Sequence, residues 1–313
     1  MKLAITGKGG VGKTTVSALL AKALSDTGRK VIAIDADPNA NLLSCFGYRD
    51  AGAVRPLVEL NDLIEERTGV APGTIGGMFK LNPRVDDIPD TYAVNIHSVK
   101  VLVAGGVKRG GSGCYCPENA FVRALVTHLL LDSDTALILD MEAGIEHLSR
   151  GTVEAVDHLL IVVEPSRQSV DTAFRIRDLA EDLGLHHLSV IGNKARTDAD
   201  RTFLLEALTG IPIVGFLPYD ERLREAEVAG KPPFGASKSV DDLVARIVRA
   251  VERTTHSHSH EPAGAHSHDH PHEADEPADG HFHEHSHDHP HDHSPEQPHT
   301  HPHKHSHSHP QTH

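Results

Sequence analysis

The sequence predicts an α/β protein with a doubly wound, mostly parallel sheet, and three observations lead there. Short apolar runs with β-branched residues recur along the chain. Amphipathic stretches lie between most of them, and the composition changes abruptly only near residue 255. The runs are LAIT (3–6), VIAID (31–35), VKVLVA (99–104), ALILD (136–140), LLIVVE (159–164), LSVIGN (188–193) and IVGFL (213–217). Unbroken apolar runs of this length suit buried parallel strands, which are covered on both faces. The stretches Thr14 to Ser25, Ala120 to Leu131, Ser169 to Leu183 and Arg201 to Leu208 carry the 3.6-residue period of helices. Residues 69–90 are rich in Gly, Pro and Asp without a clear period, so an irregular surface excursion with at most a strand pair is expected there. A last helix, Val240 to Val251, closes the fold.

Two regions follow from composition: a globular domain at 1–255 and a tail at 256–313. Of 27 histidines, 21 lie from His256 onward. The net charge is −14, and the tail's ten Asp and Glu against the single Lys304 leave only −5 for the rest. That balance, with no basic cluster, argues against nucleic acid and anionic membrane as partners. Three cysteines, Cys45, Cys114 and Cys116, are too few for a disulfide framework. With no secretory leader and no long apolar span, a cytoplasmic protein is expected.

After the first strand comes GKGGVGKTT, comprising Gly7, Lys8, Gly9, Gly10, Val11, Gly12, Lys13, Thr14 and Thr15. Glycines let the backbone turn so that successive N–H groups face an anion at a helix start, which makes this a P-loop. Lys13 would neutralise the β- and γ-phosphates of ATP, and the Thr14 hydroxyl would ligate Mg²⁺. The second lysine, Lys8, gives the loop its deviant form, and over the whole core the chain resembles the ATPases related to the nitrogenase iron protein and the Min and Par partitioning proteins. That resemblance implies that Lys8 reaches the partner's nucleotide in an ATP-dependent homodimer. It also implies that Asp37 orients the attacking water, that Asp140 holds the Mg²⁺ shell and that Gly144 senses the γ-phosphate.

Base preference can be argued from the residues. Guanine-specific P-loop proteins carry Asn-Lys-X-Asp after the corresponding strand, and here the run is Asn193-Lys194-Ala195-Arg196. Without the carboxylate, ATP is favoured over GTP, with Asn193 touching adenine and the Leu217-Pro218-Tyr219 turn flanking it.

Cys114 and Cys116 sit in GSGCYCPEN. Alternate residues of an extended segment project to one side, so both sulfurs can meet one ion, and a twofold dimer would supply four. Pro117 suits the first turn of a following helix, whose dipole favours thiolates. A buried pair of inert thiols is the competing reading. Together with DMEAGIEH (140–147), the motifs resemble the accessory ATPases that mature nickel-containing carbon monoxide dehydrogenase, which implies nickel or zinc at these cysteines and that enzyme as client. His147 is read as a polar switch residue, and Cys45, among apolar neighbours, as a structural cysteine.

The tail repeats His with Ser, Asp, Glu and Pro and lacks the apolar content to fold, so disorder is expected. His-X-His sets such as His256, His258, His260 and His285, His287, His289 would offer many weak sites for Ni²⁺ or Zn²⁺. Two other function classes stay open: a partitioning-type nucleotide switch, whose basic terminal helix is missing, and an iron–sulfur reductase, whose cluster cysteines would lie far apart in sequence.

Overall fold

A computed structural model describes residues 1–74, 78–105, 117–145, 148, 153 and 155–256. The chain divides into two units, Met1–Pro262 and Ala263–His313, and the second lies outside the described residues.

The first unit is built on one eight-stranded sheet. Its strands are β1 (Lys2–Thr6), β2 (Lys30–Asp35), β3 (Val94–Ile96), β4 (Val99–Val103), β5 (Thr135–Asp140), β6 (His158–Val163), β7 (Leu188–Ala195) and β8 (Ile213–Pro218). They lie in the order β3-β4-β2-β5-β1-β6-β7-β8. Only β3 runs antiparallel to its neighbour. The seven apolar runs read from the sequence are the seven parallel strands. The central ones are buried from end to end, as their unbroken apolar composition requires. β8 corrects the expectation of full burial: it is an edge strand, and only Leu217 in it is buried.

Among the described residues the helices are α1 (Lys13–Asp26), α2 (Leu42–Cys45), α3 (Asn61–Thr68), α4 (Ile88–Tyr92), α5 (Pro117–Leu131), α6 (Arg167–Leu183), α7 (Asp198–Ala207), α8 (Glu221–Val228) and α9 (Lys238–His256). Alternate residues of β1 and β2 feed two separate cores, as the pleat dictates. Ala4, Ile32 and Ile34 pack with Phe121, Leu125 and Ile176 of α5 and α6. Leu3, Ile5, Val31 and Ala33 pack with Leu19, Leu20 and Leu24 of α1 and with Val244, Ile247 and Val251 of α9. Helices therefore cover both faces, which is the doubly wound arrangement.

Local chemistry fixes several helix ends. Thr197 and Asp200 form a reciprocal capping box, so α7 starts at Asp198, earlier than its apolar period suggests. Ser166 caps α6, and Gly184, at φ 85°, ends it. α9 extends beyond its predicted end to His256. The 69–90 excursion is irregular as expected, with no strand pair in its described part, and it ends in α4. Val85 and Ile88 enter the core, while Arg67 holds Asp87 by paired bonds of 3.0 and 2.7 Å. Among the described residues no helix is long and apolar enough to cross a membrane.

Candidate nucleotide site

The parallel strands bring their carboxyl ends together, and the loop from Gly7 to Gly12 joins β1 to α1 at that edge. Two of its glycines are sterically required. A Cβ on Gly7, at φ 144°, would stand 2.3 Å from the Val162 carbonyl oxygen. One on Gly12, at φ 95°, would stand 2.6 Å from Asn193 Nδ2. The loop is thus pressed against β6 and β7, and only glycine lets it approach so closely.

Lys13 opens α1 and is buried, with Nζ 3.5 Å from the Lys8 carbonyl oxygen, so its ammonium curls back over the loop. Thr14 and Thr15 follow in the first turn, where unpaired helix N–H groups and the dipole favour an anion. Lys8 is half-exposed, and among the described residues its ammonium has no hydrogen-bond partner.

Two carboxylates end adjacent strands in register, Asp35 on β2 and Asp140 on β5. Asp35 accepts from the backbone N–H groups of Asp37 (3.2 Å) and Leu42 (2.8 Å), and the second bond fixes the start of α2. Burial pushes its pKa up to about 6, against the pull of those backbone bonds. Asp140 is raised to about 7, first by burial and then by the neighbouring Asp35 charge. The hydroxyls of Thr14 and Ser17 work the other way, the latter donating to Asp140 Oδ1 at 3.0 Å. Asp140 Oδ2 is buried without a hydrogen-bond partner among the described residues. An unpartnered carboxylate oxygen beside a threonine hydroxyl offers the oxygen ligands that suit a hard cation and its water shell, so Asp140 and Thr14 fit Mg²⁺.

The predicted base-binding residues are brought together. Asn193 and Leu217 are register partners on β7 and β8, and Tyr219 N–H bonds the Ala195 carbonyl at 3.1 Å. Asn193 Nδ2 donates to the Val11 carbonyl at 2.8 Å, so this side chain also braces the phosphate loop. Arg196 lies over the Tyr219 ring, 3.9 Å from its centroid. Asp37 is half-buried at the lip and accepts from Asn39 N–H at 2.8 Å. Gly144 is buried and bonded to Thr6.

Several site residues escaped the sequence reading. Lys194 takes a left-handed backbone, φ 58°, unusual for lysine, and its Nζ reaches the Gly10 carbonyl at 2.6 Å with Glu164 at 3.8 Å. Its place in the Asn-Lys pair was the available signal. Ser17, one turn into α1, and Thr6, just before the loop, had no signal beyond position. Cys45, expected to be buried, is half-buried beside the phosphate loop: its Sγ lies 3.8 Å from the Thr14 carbonyl, and desolvation pushes the thiol up to about 12. Cys114, Cys116, His147 and the tail histidines from His258 lie outside the described residues, as do the side-chain surroundings of His256. Among the described residues, no group of three or more His, Cys, Asp and Glu is placed to hold a metal ion.

Residues 2–234 match the CobQ/CobB/MinD/ParA nucleotide binding domain. The chain belongs to this family. Two relatives are similar over nearly their whole length. The carbon monoxide dehydrogenase accessory protein CooC of Rhodospirillum rubrum is 45% identical over 253 residues, 80% of this chain and 96% of that protein. An uncharacterised ATP-binding protein of Methanocaldococcus jannaschii is 44% identical over 260 residues, 81% of this chain and 100% of that protein. Among solved structures, MinD of Aquifex aeolicus superposes with a TM-score of 0.58 at 23% identity, covering 80% of this chain and 96% of its own. MinD of Pyrococcus horikoshii with Mg-ADP gives 0.54 at 19% identity, covering 82% and 97%. As a member of the MinD/ParA group, this chain is an ATP-binding P-loop ATPase.

Proposed function

We propose that this ATPase is a nickel-handling accessory protein for carbon monoxide dehydrogenase, and that ATP acts by closing a homodimer. The observation that carries the reading is Lys8, which stands in the phosphate loop with an ammonium that nothing in its own described chain neutralises. A cation left unpaired beside a phosphate cradle is suited to a second subunit's nucleotide. The 45% identity to the CooC protein over almost its full length supports the client assignment.

ATP would rest on the Gly7–Thr15 loop, with Lys13 across its β- and γ-phosphates and Gly144 reading the γ-phosphate. Thr14 and Asp140 would hold Mg²⁺, which when bound supplies positive charge to the phosphates. Asp37 would orient the attacking water, and Asn193, Leu217, Pro218 and Tyr219 would bound the adenine. Closure gains the Lys8–phosphate contacts that exist only with ATP, so ATP shifts the population toward the dimer.

Cys114 and Cys116 of each subunit would then share one nickel or zinc ion, released when hydrolysis opens the dimer. α5 begins at Pro117, the residue after Cys116, as the thiolate argument requires. The tail at 256–313 would be a separate metal reservoir. No contact with nucleic acid or membrane is required, and the site of action would be the cytoplasm.

The test is nickel stoichiometry and mass in solution for the full chain, with and without Mg·ATP. The expected result is an ATP-dependent increment of one Ni²⁺ per two chains, present only with dimer and lost in Cys114→Ala/Cys116→Ala. Lys8→Ala should abolish both dimer and increment. An increment that survives the double cysteine variant would move nickel handling to the tail and leave a plain nucleotide switch.

A further inference from the structure

The last residue of β1, Thr6, is fully buried and has no assigned part in the nucleotide chemistry above. Its hydroxyl lies 2.8 Å from the Gly144 carbonyl oxygen and 3.0 Å from that of Glu142, so its single proton is shared between them. The same oxygen accepts from Gly144 N–H at 3.2 Å. That N–H also points to the Glu142 carbonyl at 2.8 Å. The backbone donor assigned to the γ-phosphate is thus already committed, and both of its acceptors lie inside the chain.

We propose that Thr6 is a positioning residue that restrains the preference for ATP over ADP, by holding Gly144 in a resting arrangement that only a γ-phosphate draws away. The proposal rests on the reading of Gly144 as the γ-phosphate sensor.

Thr6 is a fixed anchor. β1 is paired on both sides, by β5 and β6, and the next residue, Gly7, lies so close to the Val162 carbonyl that a Cβ would not fit between them. Gly144 lies beyond the end of β5, four residues after Asp140, where the backbone has left the sheet. When the two part, the loop moves and the strand stays. A nucleotide can shift this equilibrium only by its differential contact with the two arrangements. ATP offers a phosphate oxygen to the Gly144 N–H and must displace the Thr6 bonds to use it. ADP offers nothing there and binds with the latch in place. Thr6 has no exposure in the latched arrangement, so breaking its bonds to Gly144 is a cost that falls on ATP binding.

Removing the hydroxyl should therefore tighten ATP binding and leave ADP binding alone. The experiment uses the full chain with Mg²⁺ and compares dissociation constants for ADP and for AMPPNP, a non-hydrolysable ATP analogue, by calorimetry. For Thr6→Val, which keeps the branched shape, the ratio of the ADP constant to the analogue constant should rise about three- to tenfold, as one net hydrogen bond implies. Thr6→Ser, which restores the hydroxyl, should return the ratio to that of the parent chain. If Thr6→Val does not fold, Thr6→Cys, whose thiol bonds weakly, is read in the same way.

An unchanged ratio, or equal weakening for both nucleotides, would make Thr6 a structural residue and overturn the proposal. Gly144→Ala separates this from the sensor reading, because it places a methyl beside the N–H and should weaken the analogue alone. If Gly144→Ala does so while Thr6→Val leaves the ratio unmoved, the sensor stands and the latch falls. If Gly144→Ala changes neither nucleotide, the sensor reading itself fails.

Discussion

The two ends of the central sheet both bury titratable groups, and they stabilise them by different means. At the amino ends of the strands, Lys2 sends its ammonium inward, where it donates to the carbonyls of Leu129 (2.8 Å) and Thr135 (2.7 Å). Burial lowers its pKa, while Asp132 and Asp157 pull the other way. His158, at the start of β6, shares a 2.9 Å bond with Ser189. Burial, reinforced by the His187 charge, pushes its imidazole down to about 4, so it is neutral near pH 7. At the carboxyl ends, Asp35 and Asp140 stand side by side with their pKa values raised by burial, and one oxygen of Asp140 is left unpartnered. The first end holds its ammonium with the chain's own carbonyls and keeps its imidazole neutral, although Nδ1 of that ring also lacks a hydrogen-bond partner among the described residues. The second keeps a carboxylate pair that becomes favourable only beside a cation, which is the arrangement of a site and not of a core.

The sharpest way to break this contrast is Asp140→Asn. At a ligand site the variant should lose ATP hydrolysis by on the order of 10²- to 10³-fold. Without nucleotide it should melt a few degrees higher, since a desolvated charge is gone, and its Mg·ATP-induced gain in Tm should vanish. Activity assays and melting curves with and without Mg·ATP decide it. A variant that keeps the nucleotide-induced gain would make the carboxyl end as structural as the other.

The opposite end is tested through pH. Because His158 is held below its ordinary value of 6.5, the unfolded chain takes up the proton first. The folded state is therefore penalised as pH falls from about 6.5 to about 4, and the penalty is absent above that window. Urea unfolding at pH 7.5 and pH 4.5 should show the parent chain losing about 2 to 3 kcal/mol more than His158→Leu over that range. Equal losses would mean that the imidazole is protonated in the fold and has a charged partner.

The smallest effect is expected at Lys194, which braces the phosphate loop through the Gly10 carbonyl. Lys194→Met should weaken ATP and ADP alike by about three- to tenfold, since the loop serves both. A loss confined to ATP would place Lys194 at the γ-phosphate instead.

How much of this could be read in advance differs by element. The parallel strands were legible because a strand covered on both faces is an unbroken apolar run, and the P-loop because tight backbone geometry demands its glycines. β3 was not, being three residues on the edge, two half-exposed and one exposed. The polar α3 and α8 carry too little apolar periodicity to announce themselves. The excursion at 69–90 looked irregular because its core residues, Val85 and Ile88, stand apart among prolines and polar residues, and their meaning came from the core they enter.

The site divides in the same way. Gly7, Gly12 and Lys13 announce their chemistry locally, since backbone conformation and helix start are properties of neighbouring residues. The adjacency of Asp35 and Asp140 is a matter of strand order, and Thr6 meets Gly144 across 138 residues of sequence. Nothing in a run of residues states which strands will lie side by side or which hydroxyl will end within 3 Å of a distant carbonyl. The sequence by itself determined the strand and helix periods, the phosphate loop and the composition break near residue 255. Only the tertiary structure decided the partners of each buried polar group, because a hydrogen bond depends on distance in space and those partners are brought together by packing.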